Sequence, residues 1–131
     1  MTPILSHIDH LVLTVRDITA TVVFYEKLGM LAETFQPADG STRTMLKFGH
    51  QKINLHEAGR EFSPKAKTPT TGSADFCLIS GTPLADWIIH LATQNIEIEQ
   101  GPIARTGAIG NIESIYLRDP DRNLIEISRY I

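Results

Sequence analysis

What most constrains this chain is one pattern of elements that runs through it twice. Ile8-Asp9-His10-Leu11-Val12-Leu13-Thr14-Val15 is rich in branched aliphatics and short enough for a strand. Asp17 follows as a helix cap whose carboxylate accepts first-turn amide hydrogens, and the spacing predicts a helix through Leu28. Ile18, Val22 and Tyr25 recur at helical spacing, and Gly29 suits the left-handed residue that ends such a helix. Strands are expected next around Leu31–Phe35, Thr44–Phe48 and Lys52–Glu57.

From Ser73 the order repeats. Asp75-Phe76-Cys77-Leu78-Ile79 is again a short apolar strand, and Thr82-Pro83 reads as a cap followed by a first helical residue. Leu84, Trp87, Ile88 and Leu91 form one apolar stripe, with Asn95 as terminator. Strands are expected near Ile96–Glu99, Ser114–Leu117 and Leu124–Ser128. His10 to Asp75 and Asp17 to Thr82 are both 65 positions, so strand start and helix cap move together. Ile53-Asn54-Leu55 matches Ile125-Glu126-Ile127 at an offset of 72. Sequence identity between the halves is slight, so the repeat is one of pattern. Glu61–Gly72, with Ser63-Pro64, Pro69 and three threonines, reads as the linker. The expectation is a single α+β domain over residues 1–131, with module one at about 5–60 and module two at about 73–131.

Strand alternation sorts side chains by face. Leu11, Leu13, Val15, Ile53, Leu55, Phe76, Leu78, Ile115, Leu117, Ile125 and Ile127 are set toward the helices. The opposite face carries His10, Asn54, His56, Asp75, Ser114, Tyr116 and Glu126, with Cys77 as a small buried hydrophobe. Imidazole and carboxylate together suit zinc, nickel, manganese or iron(II) if the strands curl into a cup with the helices outside. A solvated polar face is the plainer alternative. Gly101–Gly110 reads as a loop, with Arg105 able to hold a substrate carboxylate or phosphate, or to face solvent. Tyr116 can offer a phenol to substrate or simply pack.

Composition narrows the function classes. Twelve Lys and Arg against fifteen Asp and Glu give a net charge of −3, which argues against an extended nucleic-acid footprint. No apolar run approaches the ~20 residues of a membrane helix. The single Cys77 excludes an internal disulfide and a zinc ribbon, and Met1-Thr2-Pro3-Ile4 lacks the features of a signal peptide. A cytoplasmic protein acting on a small molecule is expected.

Three stretches carry a family resemblance: Ile8–Asp17, Phe24-Tyr25 with Leu28-Gly29-Met30, and Asp119-Pro120-Asp121-Arg122-Asn123-Leu124-Ile125-Glu126. Together they resemble the vicinal oxygen chelate superfamily, which includes glyoxalase I, extradiol dioxygenases and bleomycin-binding proteins. Lys52–Glu57 and Arg105–Gly107 resemble a small glyoxalase-domain branch that includes virulence proteins. The resemblance implies two βαβββ modules, often paired in a homodimer. It places the first-strand histidine ligand on His10 and the last-strand glutamate on Glu126. The second-module histidine falls on Asp75 and the glutamate of the fourth position on Asn54, both departures. His56, about 6–7 Å further along the strand, becomes either a substitute ligand or a substrate contact. The implied activity is that of a metal-dependent lyase or isomerase. A divalent ion chelates two substrate oxygens, and Glu126 shuttles the proton, with Asp75 as second candidate base. The alternatives are a metal-free drug- or metabolite-binding protein, or a thiol transferase supported only by Ser114 and Tyr116.

Overall fold

The computed structural model describes all 131 residues, in two compact units, Met1–Thr71 and Gly72–Ile131. The first contains β1 (His10–Val15), α1 (Ile18–Lys27), β2 (Leu31–Phe35), β3 (Arg43–Phe48) and β4 (Gln51–Glu57). The second contains β5 (Asp75–Ile79), α2 (Leu84–Thr93), β6 (Gln100–Thr106), β7 (Asn111–Arg118) and β8 (Leu124–Tyr130). Each is a βαβββ module with its own mixed four-stranded sheet, ordered β1-β4-β3-β2 and β5-β8-β7-β6. In both, the first and last strands pair in parallel and the remaining neighbours antiparallel. The parallel pair requires a crossover, and the helix provides part of it.

The alternation expected from sequence holds in the register. Leu11, Leu13 and Val15 stand beside Ile53, Leu55 and Glu57, while His10, Val12 and Thr14 stand beside Lys52, Asn54 and His56. Leu13, Val15, Leu46, Ile53 and Leu55 are buried, as are Thr21 and Tyr25 of α1. Ile115, Leu117, Ile125 and Ile127 are buried in the second unit, with Leu84 and Leu91 of α2.

Helix α1 begins as expected, with the Asp17 carboxylate accepting from Ala20 N at 3.1 Å. The start of α2 differs. Pro83, not Thr82, is the N-cap, and no side chain caps the helix. The Thr82 amide instead donates to Ser80 Oγ. Asn95 does follow the helix end, at φ 57°.

The third element of module two also departs from expectation. Ile96–Glu99 is not a strand; pairing runs through Gln100–Thr106, a stretch expected to be loop. A bulge between Gln100 and Ile103 accommodates Gly101 and Pro102, where the ladder needs no donor from proline. Gly101 has φ 113°, and a side chain there would collide with the Ser114 carbonyl.

Asp119–Asn123 forms a buried turn leading into β8. Asp119 Oδ1 accepts from Asp121 N and Asn123 N at 2.9 Å, and Oδ2 accepts from Asn123 Nδ2 at 2.8 Å. Asn123 Oδ1 accepts from Ala74 N at 2.9 Å, tying the turn to the chain entering β5. These carboxylate and amide groups are engaged in holding the turn.

Candidate functional site

In the first unit, β1 and β4 present His10, Val12, Thr14, Asn54 and His56 on one sheet face. His10 Nδ1 lies 2.8 Å from Asp9 Oδ2. That hydrogen bond is the main reason the Asp9 carboxyl lies below its usual range. An ionised carboxylate only accepts, so Nδ1 carries a hydrogen, and in the neutral ring that leaves the lone pair on Nε2. This is the arrangement by which a carboxylate behind a histidine orients the ring for a metal ion.

His56 lies four register positions along from His10, opposite Thr14. It is 5% exposed, and its ring meets Phe62 edge-on at 5.4 Å. Burial first, then the positive charge of Arg43, push its pKa down; Glu61 opposes this and Lys65 adds to it. His56 is therefore a neutral imidazole at pH 7. No protein group hydrogen-bonds to either ring nitrogen. Beside it, Asn54 Oδ1 is buried without a partner.

Glu61–Gly72 was expected to be a linker, yet part of it builds a wall. Pro64, Lys65, Ala66 and Pro69 join Val12, Thr14 and His56 around a cleft of about 450 Å³. Arg43 stacks on Phe62 at 4.0 Å and bonds Asp39 at 2.8 Å. Sequence reasoning missed Phe62 and Lys65 because a segment without periodicity carries no signal of what it packs on.

In the second unit, Glu126 stands between Cys77 and Tyr116 in register, and Ser128 pairs with Ser114. Ser114 Oγ donates to Glu126 Oε2 at 2.6 Å and lies 2.6 Å from Ser128 Oγ, which lies 3.1 Å from Cys77 Sγ. Each of these groups has one hydrogen, and an ionised Glu126 only accepts. The chain therefore runs from Cys77 through Ser128 and Ser114 to the carboxylate. Ser128 Oγ is also 3.3 Å from Oε2. No protein donor reaches Oε1.

Ser114 is fully buried and commits its hydroxyl within this chain. Its hydroxyl anchors Glu126. Alternation set Ser128 on this face too, so its part in the network was open to discovery from sequence. Cys77, expected to be buried, is exposed because β5 is an edge strand; burial of its thiol and nearby Glu126 raise its pKa, with the Ser128 bond opposing them. Such a thiol is a poor nucleophile. Arg105 donates through Nε to Tyr116 Oη at 3.0 Å and through Nη1 to Ala104 O, leaving Nη2 uncommitted. Asp75 is exposed on the same face as Glu126, two register positions away.

Taken separately, His10 and Glu126 each have one side-chain atom held by a neighbour and another that is not. No group of three His, Cys, Asp or Glu side chains gathers as a metal centre. No helix is long and apolar enough to cross a membrane.

A family model described as the Glyoxalase/Bleomycin resistance protein/Dioxygenase superfamily matches residues 7–127. Virulence protein STM3117 of Salmonella typhimurium is 54% identical over 129 residues, covering 98% of this chain and 87% of that protein. Glyoxalase domain-containing protein RDO1 of Mycosarcoma maydis is 50% identical over 123 residues, covering 94% and 68%. A solved structure from the mobile metagenome of V. Pseudocholerae has TM-score 0.94 at 54% identity, covering 100% of this chain and 99% of that one. Two more distant structures share the fold. Lactoylglutathione lyase from Agrobacterium tumefaciens has TM-score 0.68 at 22% identity, covering 95% and 93%, and TnmS3, an antibiotic binding protein from Streptomyces, has 0.74 at 19%, covering 99% and 100%. With a family match spanning nearly its whole length and relatives above half identity, the chain belongs to the Glyoxalase/Bleomycin resistance protein/Dioxygenase superfamily.

Proposed function

We propose that the protein is a glyoxalase-type lyase or isomerase that uses a divalent metal ion, with His10 and Glu126 as ligands, on a small oxygen-rich substrate. The observation that carries this reading is the preparation of each group: Asp9 fixes the His10 tautomer, and Ser114 holds one oxygen of Glu126. When bound, the ion supplies Lewis acidity to neighbouring substrate oxygens. Glu126 moves the proton at substrate carbon, because its Oε1 has no protein donor while Oε2 is anchored. Asp75 is the second candidate base or ligand. Arg105 offers Nη2 to an anionic substrate group and is itself positioned by Tyr116. His56 is assigned to substrate rather than metal, since its ring is packed on Phe62 and faces the cleft.

Metal analysis of purified protein, beside His10→Ala and Glu126→Gln, tests the reading. About one ion per chain, lost in both variants, is expected, together with turnover of a 2-oxoaldehyde–thiol adduct or a related α-hydroxycarbonyl compound. Metal content unchanged in the variants overturns it. The absence of three gathered donor side chains favours a second reading, a metal-free binding protein. In that case ligand affinity is indifferent to chelators.

A further inference from the structure

From the cleft against His56 we infer a binding site, confined to the first unit, for a small carboxylate carrying a compact apolar body. It rests on the assignment of His56 to substrate made above, but not on His10 holding a metal ion. The volume, about 450 Å³, is that of a small-molecule site. Val12, Pro64, Ala66 and Pro69 make most of its wall apolar, and the polar groups are Thr14, His56 and Lys65. All three can donate a hydrogen bond, and no acidic side chain is among the lining residues.

Two further observations point to an occupant. His56 is nine-tenths buried, lines the cleft and has no hydrogen-bond partner in the protein; the half-buried Thr14 also lines the cleft and its hydroxyl has no partner. Asn54 Oδ1, not a His56 nitrogen, is the sealed polar atom without a partner, so the His56 ring nitrogens open on the cleft, where a ligand oxygen can take the hydrogen bond the protein leaves unmade. The nearby charges also leave the ammonium available. Glu61 accepts from the Gly59 amide at 2.8 Å and stands 4.0 Å from Lys65, whereas Arg43 is closely paired with Asp39. Lys65 is thus the loosely paired cation at the cleft wall. An anion bound there gains a charge-assisted contact that a neutral isostere lacks.

The test uses the full chain after removal of divalent ions, so that no metal holds the carboxylate. Benzoate, benzamide and benzylamine are titrated while the His56 ring resonance is followed by NMR. Benzoate is expected to shift that resonance and to bind at least fivefold more tightly than benzamide, with benzylamine weakest. Lys65→Gln, at a half-exposed position, brings benzoate down to the affinity of benzamide without changing metal content in untreated protein. Ala66→Phe fills the cleft from its exposed wall and abolishes the shift. Thermal melts confirm that both variants are folded. No benzoate-induced shift at His56, equal affinity for benzoate and benzamide, or a preference that survives Lys65→Gln overturns the inference. Metal content and turnover are read separately, so failure here is distinguishable from failure of the metal reading.

Discussion

The role of single residues here depends on which hydrogen has nowhere else to go. Ser114 is buried, and its hydroxyl supplies the shortest contact to Glu126 Oε2. Ser114→Ala removes that donor from a charged acceptor, and a loss of about 1.5–3 kcal/mol of stability is expected from urea unfolding. Ser128→Ala, whose contact to Oε2 is 3.3 Å, is expected to lose less. His56 sets a pH dependence. Its pKa lies below the ordinary 6.5 in the fold, so between the folded value and 6.5 the unfolded chain binds more protons. Stability therefore falls as pH drops from 7 through this window and is independent of His56 above it. Urea midpoints measured from pH 7.5 to 5 are expected to decline less steeply in His56→Gln. Asp9, Asp39, Glu61 and Glu99 have lowered pKa values, and their contributions disappear only at more acidic pH, as the carboxylates protonate.

Elements are decided by their ends and irregularities. The caps of α1 and α2 looked equivalent in sequence, but only Asp17 bonds the first turn. Asp17→Ala is expected to lower stability by about 1 kcal/mol, whereas Thr82→Ala leaves the melting temperature nearly unchanged. Helix propensity names residues able to cap; whether one does depends on the backbone angle at which the preceding strand delivers it. Strand β6 shows the reverse limit. Gly101-Pro102 marks a loop by local rules, but a bulge lets pairing with β7 continue past it. Gly101→Ala is expected to destabilise the second unit by more than about 2 kcal/mol, since it meets both the Ser114 carbonyl and a disfavoured φ. Circular dichroism melts measure both effects.

At the scale of the whole molecule, two modules with little sequence in common follow the same strand order, β1-β4-β3-β2 and β5-β8-β7-β6. The proposed metal dependence is tested at this scale, through the stability of the full chain. An ion at one hundred times its Kd is expected to stabilise the fold by about 2.7 kcal/mol, reversed by chelator and absent in Glu126→Gln. The chain by itself determined the order of elements and which side chains share a sheet face: His10 with Asn54 and His56, and Asp75 with Glu126, follow from a local two-residue alternation. Tertiary structure alone decided that Ser114 anchors Glu126, that Phe62 packs on His56, and that Lys65 walls a cleft. The physical reason is one of range. Alternation is a property of consecutive residues, whereas a partner across a sheet or beneath a folded segment is selected by register and packing, which no short window of sequence contains.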